Sequence, residues 1–254
     1  MYKIKFIYLN LIIIYIILIV IFNNINKKFI LHKDECAFNK KINLNNVFLK
    51  ISSSYKSIIN KYKRSSIIWP IWNKIKFKPY MTNKDIIVLS YFMNPKNVYF
   101  EFGSGGSTNL ASYYKVKTYS VESDVYWHKI LKKNGIKAKY ITIDLKVGSF
   151  GYPGENTNIY DWKKYIQAYQ KKYNADVILI DGRFRVACTL DLFSKIRNDT
   201  IILIHDYVNR KKYHIIEKFY IKIKSWDSLA LFIKNPNIEF IPKNIYNNYL
   251  KEKL

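Results

Sequence analysis

Val98-Tyr99-Phe100-Glu101-Phe102-Gly103-Ser104-Gly105-Gly106-Ser107-Thr108 is the stretch on which the reading of this sequence turns. Val98–Phe102 is a short run of β-branched and aromatic residues, the signature of a buried strand. Three of the chain's eight glycines then fall within four positions. A strand that must bend sharply into a helix needs such glycines, which also let a ligand approach the main chain. A phosphate-binding P-loop is excluded, because no Gly-Lys-Ser/Thr ending follows. A dinucleotide fingerprint would place a third glycine at position 108, where Thr108 stands, and does not call for Glu101 two residues before the first glycine.

Outward from this bend the chain alternates short apolar runs with helical patterns. Thr82-Asn83-Lys84-Asp85 offers a helix start. Strands are predicted at Val98–Phe102, Lys117–Val121, Lys139–Ile143, Val177–Ile180 and Ile201–Ile204, and helices at Ser107–Tyr114, Asp124–Asn134 (closed by Gly135), Tyr160–Lys172, Phe184–Ile196 and Arg210–Phe219. Phe219–Lys224 and Leu229–Ile233 form a terminal hairpin about Asp227-Ser228. This order predicts an α/β fold, a doubly wound and mainly parallel seven-stranded sheet with helices on both faces. Acidic residues are scarce, yet Glu101, Glu122, Asp144, Asp181 and Asp206 each stand at or beside the end of a strand, where ligands bind in open parallel sheets. Capping of the following helices would account for one or two of them, Asp144 included.

An acid, one spacer and Gly-x-Gly after the first strand, with a second acid, Glu122, ending the next, resembles the nucleotide-binding motif of class I S-adenosylmethionine-dependent methyltransferases. The resemblance implies a Rossmann-like fold and S-adenosyl-L-methionine as cofactor. Gly103, Ser104, Gly105, Gly106 and Ser107 would approach its methionine part, and Glu101 would anchor the bend or the cofactor's amine. Glu122 would accept both ribose hydroxyls, and Asp144 would lie near the adenine. Ser107 departs from the strict pattern, which has a third glycine there. Asp181-Gly182-Arg183-Phe184-Arg185 and His205-Asp206-Tyr207 look like a little-characterised branch of this family, and the resemblance covers about residues 80–235. An Asn-Pro-Pro-Tyr or Asp-Pro-Pro-Tyr motif after the fourth strand, the mark of amino-group methylation of nucleic acid, is replaced here by Asp181-Gly-Arg-Phe.

Methyl transfer requires alignment of the acceptor and removal of a proton. Asp181, His205 and Asp206 are the catalytic candidates. Either His205 or Asp181 serves as general base, or Asp181 and Asp206 hold a divalent cation that acidifies an acceptor hydroxyl; His205 is alternatively a core histidine. Arg183, Arg185 and Arg210 stand out in a chain with only five arginines. A guanidinium grips carboxylate or phosphate bidentately, which points to an anionic acceptor, with internal ion pairs to Asp181 or Asp206 as the alternative. Trp127 either packs on the adenine or belongs to the core. The Gly/Pro-rich loop from Val147 to Thr157 is placed to cover a ligand.

Phe6–Phe22 is 17 residues long with one Asn and no charge, which predicts an uncleaved single-span membrane anchor behind a short flank, residues 1–5. Residues 23–79 read as a basic stem: from Cys36 to Lys84 inclusive there are eleven Lys and Arg and no acid. Such cations are drawn to anionic headgroups. Trp69-Pro70-Ile71-Trp72 is expected to dock on the globular domain, residues 80–235; a tail without clear period, 236–254, follows. The charge balance leaves the orientation in the membrane open. The chain has 254 residues, a net charge of +25 and 49% hydrophobic residues. That composition excludes a disordered chain, and two cysteines exclude a disulfide scaffold; Cys36 and Cys188 are free to pair or not. The positive charge suits nucleic acid, anionic lipid or an acidic glycan, or reflects a coding bias, since Lys, Asn, Ile and Tyr, all with A/T-rich codons, crowd the sequence; only five of 43 cations are Arg, so base-reading contacts with nucleic acid are disfavoured. A methyltransferase of a glycan or small anionic acceptor leads; a non-catalytic membrane-tethered nucleoside-binding module and an NAD(P)-dependent oxidoreductase are the alternatives.

Overall fold

The structure, a computed structural model, describes residues 74–148 and 151–253. The expected anchor at 6–22, most of the stem, the Trp69–Trp72 motif and Cys36 lie outside them. Among the described residues no helix is long and apolar enough to cross a membrane, and Cys188 is a buried free thiol.

Seven strands, β1 (Val98–Phe102), β2 (Lys117–Glu122), β3 (Lys139–Thr142), β4 (Val177–Ile180), β5 (Ile201–Ile204), β6 (Tyr220–Ser225) and β7 (Ala230–Lys234), form one sheet in the order β3-β2-β1-β4-β5-β7-β6. The five strands β1–β5 run parallel, and β7 pairs antiparallel to both β5 and β6. The chain reverses direction across the sheet on either side of β1 and β4, which opens a crevice at their carboxyl ends.

Strand periodicity divides the core. Phe100, Phe102, Ile178, Ile180, Ile202 and Ile204 point to one face, where they meet α4 (Ile159–Ile166) and α5 (Arg185–Leu192). Tyr99, Val177, Leu179, Leu203 and Leu231 point to the other, against α1 (Asn83–Phe92) and α2 (Gly106–Tyr113). Phe100 and Phe102 are fully buried, and each such side chain contributes about 2–3 kcal/mol. Asp124 caps α3 (Val125–Lys133), accepting from the amides of Tyr126 and Trp127 at 2.8 and 3.0 Å. The cap sets Trp127 in the first turn of that helix, beside the bend after β1.

Several boundaries differ from expectation. The helix predicted over 160–172 stops at Ile166 and resumes as a 3-10 turn, Lys171–Tyr173. The segment Lys211–Lys218 is a 3-10 helix. Its buried residues Tyr213 and Ile216, followed by Phe219, recur every third position, the period of that helix rather than of an α-helix. Helix α5 starts at Arg185 because Phe184 is left-handed at φ 55°, a conformation no right-handed helix includes. The tail is not without structure: α6 (Lys243–Tyr249) leads to a buried Leu250, and Ile238, Ile241, Ile245 and Tyr249 pack on the core. Packing also begins before Tyr80, since Ile75 and Pro79 are buried.

Asp85 ties α1 to the hairpin that closes the sheet. Its fully buried carboxylate accepts from the Ser228 hydroxyl (2.7 Å), the Leu229 amide (3.2 Å) and the Thr82 hydroxyl (2.9 Å). Asp85→Ala leaves the buried Leu229 amide and the half-buried Ser228 hydroxyl without their acceptor. Chemical denaturation is expected to show a loss of about 2–4 kcal/mol, the scale of a broken buried charged network; a loss under 1 kcal/mol would remove Asp85 from that role.

Candidate active site

The bend after β1 is organised around a carboxylate sealed from water. Glu101 is fully buried and accepts four hydroxyls: Tyr99 at 2.8 Å, Ser107 at 2.6 Å, Ser120 at 2.7 Å, and Thr108. Burial raises its pKa, and the hydroxyl hydrogen bonds oppose that rise. Tyr99 reaches it because residues two apart share a face of β1, and Ser120 because it is the register partner of Glu101 on β2. Ser107 and Thr108 lie in the first turn of α2, so the network clamps strand, bend and helix together. With four donors on its two oxygens, Glu101 takes the anchoring role; the cofactor's amine finds no place on it.

Gly103 makes the bend possible. Its φ is 93°, and a Cβ there would meet the Gly182 amide nitrogen at 2.8 Å. The loops after β1 and β4 therefore cross in backbone contact, which brings Asp181 to the glycine bend. A cleft of about 540 Å³ opens here, lined by Gly103, Ser104, Gly105, Gly106, Ser107, Trp127, Asp181 and residues 76–80. That volume lies within the usual range for small-molecule sites.

Glu122 stands next to this bend but not on the wall of the cleft. It accepts from the amides of Ser104 (2.9 Å), Ser123 (2.7 Å) and Asp124 (2.9 Å). Main-chain donors thus hold much of the carboxylate expected to grip a ribose. Burial raises its pKa from 4.5 to about 7, against the lowering effect of those amides. Asp144, expected near the adenine, is exposed, bonded to the Lys146 amide (2.9 Å) and ammonium (2.5 Å), and absent from the cleft wall. Trp127 does line the cleft, with its indole N–H on the Ser104 carbonyl at 2.8 Å.

Behind Asp181 lies an ionic lattice. His205, 6% exposed, meets Asp181 through Nδ1 at 2.8 Å. Burial alone would lower its pKa; the Asp181 hydrogen bond and the Asp181 and Asp206 charges outweigh that and raise it. Asp206, held left-handed at φ 57°, accepts from Arg185 and Arg210, each at 3.0 Å. Burial would raise its pKa, but Arg185, His205 and Arg210 hold it below the usual carboxylate range. Arg185 corrects the expectation of a substrate contact. It is 6% exposed and also donates to the carbonyls of Gly182 (2.9 Å) and His205 (2.6 Å), so it is internal. Arg210 is half-exposed and reaches the Tyr213 hydroxyl at 3.2 Å. Arg183 lies over the Tyr152 ring, 4.0 Å from its centroid, which brings the loop after β3 onto the loop after β4. Arg185 and His205 stand against Oδ1 of Asp181, and Arg185 and Arg210 against Oδ2 of Asp206, so cationic groups already crowd the pair expected to hold a divalent cation. Among the described residues no three His, Cys, Asp or Glu side chains converge as metal ligands.

Comparison with solved structures agrees with this architecture. The structure superimposes on a methyltransferase-like protein from Silicibacter pomeroyi with a TM-score of 0.59 and 25% identity, covering 69% of this chain and 98% of that one. The fold resembles that of Rossmann-like methyltransferases. Two others are more distant: a TehB-like SAM-dependent methyltransferase from Corynebacterium glutamicum (14% identity, TM-score 0.40, 58% and 86% covered) and a Thermus thermophilus 16S rRNA methyltransferase in complex with AdoMet and guanosine (14%, 0.38, 62% and 44%). No protein-family model and no curated protein matches the sequence.

The raised Glu122 pKa makes a statement about stability. Between pH 4.5 and about 7 the folded protein keeps a proton that the unfolded chain has lost, so this group's contribution falls as pH rises through that window. Glu122→Gln cannot titrate. The stability of wild type relative to the variant is expected to decline by up to about 3 kcal/mol from pH 4.5 to pH 7.5 and to level off above. A difference that stays flat across that range contradicts the assignment.

Proposed function

We propose that the protein is an S-adenosylmethionine-dependent methyltransferase acting on a hydroxyl of a glycan or small anionic acceptor, held at a membrane by residues 6–22. The observation that carries this reading is the meeting of the Gly103–Ser107 bend with Asp181 on one cleft wall, with His205 hydrogen-bonded to that aspartate. The residues fit the cofactor: glycines let its amino-acid end lie against the main chain, and Trp127 offers an aromatic surface. When bound, the cofactor supplies a methyl group on a sulfonium centre with a good leaving group.

The chain supplies the rest. Donation from Nδ1–H of His205 to Asp181 fixes the tautomer and leaves Nε2 as the basic nitrogen, which accepts the acceptor's hydroxyl proton. The carboxylates of Asp181 and Asp206 stabilise the imidazolium that forms. Asp206, already paired with two guanidiniums, is a poor base itself and acts as a fixed counter-charge. Arg183, over the Tyr152 ring, and the half-exposed Arg210 would provide cations for an acidic acceptor.

Calorimetry with S-adenosylmethionine is expected to give saturable binding. Asp181→Asn, a nearly isosteric change on the cleft wall, should keep that affinity within about tenfold, the scale of one altered polar contact, while methyl transfer to a cell-extract fraction falls by at least about a hundredfold, as His205 loses the carboxylate that orients it as general base. No heat at high micromolar cofactor would instead favour a non-catalytic module, and full turnover by the variant would remove Asp181 and its dyad from the chemistry.

A further inference from the structure

The cleft beside the glycine bend has a second wall, and it comes from the segment read as the end of the stem. Residues 76–80, Lys-Phe-Lys-Pro-Tyr, run along the opening opposite Gly103–Ser107. Two buried residues and three contacts fix this strap. Ile75 and Pro79 are buried. Phe77 meets Trp127 edge to face, with ring centroids 5.2 Å apart. The Phe77 carbonyl accepts from the Asn109 side-chain amide at 3.1 Å. Lys76 donates to Asn134. The strap also passes so close to α2 that a Cβ on Gly106 would sit 2.2 Å from the Lys78 carbonyl carbon and the Pro79 nitrogen.

Gly106 therefore serves the strap, whereas Gly103 serves the crossing with the β4 loop. A segment that merely covered apolar surface would leave no space beneath it. Here the space persists, and its walls are of two chemical kinds. The aromatic rings of Phe77 and Trp127 form one part. The other holds the Lys76–Lys78 segment, with the Lys76 ammonium on Asn134, opposite a bend at the start of an α-helix, where amides and the helix dipole favour an anion. Residues 36–84 contain no acid, so nothing on the strap opposes that field.

We propose that residues 76–80 form part of the cofactor site, so that the bound nucleoside is sandwiched between the strap and the glycine bend. Phe77 and Trp127 hold its apolar part, and the Lys76–Lys78 segment complements the carboxylate of its amino-acid end. This inference rests on the proposed cofactor. Its consequence is mechanical: the segment that joins the catalytic domain to the basic stem opens more often when the site is empty and is pinned when it fills.

The test uses the full chain in detergent with S-adenosylhomocysteine as the probe. Trypsin must open the strap locally before it cuts after Lys76. Saturating probe is expected to slow cleavage of the Lys76–Phe77 bond at least tenfold, followed by mass spectrometry. Phe77→Ala and, separately, Asn109→Ala should weaken probe binding about tenfold by calorimetry and remove the protection, with the circular dichroism spectrum and melting temperature retained in at least one of them. Probe binding to wild type with unchanged cleavage, or full affinity in both variants, overturns the strap while leaving the cofactor reading in place. No probe binding to wild type removes both.

Discussion

A carboxylate that is fully withdrawn from water must be satisfied by its surroundings or protonated, and Glu101 is satisfied by four hydroxyls from three successive elements. Each donor fixes a relation that the site needs. Tyr99 and Ser120 lock β1 to β2; Ser107 and Thr108 lock the start of α2 to the strand before it. The bend between them has little freedom left, and Gly103 sets it against the loop after β4. The floor of the cleft is thus a consequence of one buried charge.

The second half of the site follows from the same economy. Two non-glycine residues with left-handed backbones, Phe184 and Asp206, sit in the loops that follow β4 and β5. Backbone strain of this kind persists only where the surroundings over-determine it. Arg185 does so by binding the Gly182 and His205 carbonyls together with Asp206. It is a positioning residue: it joins the two strand ends, keeps Asp206 charged, and lets Asp181 and His205 face each other. The loops of β1, β4 and β5 then act as one block, with the strap and Trp127 above it.

Much of this was legible in the sequence because it rests on local chemistry. The apolar runs at 177–180 and 201–204, the glycine bend and the acids at strand ends all reported true positions. The 3-10 character of Lys211–Lys218 and the helix Lys243–Tyr249 were not read, although the three-residue spacing of Tyr213, Ile216 and Phe219 marks the first; Lys and Asn mask the apolar positions of the second. Partner choice was not legible. Arg183 and Arg185 differ by two positions, yet the left-handed Phe184 between them sends one onto Tyr152 and the other into the interior. Glu122 and Asp144 have the right place in the chain, but three main-chain amides and Lys146 respectively claim their oxygens. The strap was missed because its anchoring depends on long-range contacts, Phe77 with Trp127 and Asn109, that no local pattern announces.

The central claim is that the space between the glycine bend and the strap holds a sulfonium nucleoside. Crystals of the protein soaked with S-adenosylhomocysteine test it most directly. The account predicts difference density against Gly103–Ser107 and Trp127, with the sulfur directed toward Asp181. Density for the nucleoside elsewhere on the molecule, with that cleft empty at saturating concentration, would contradict it.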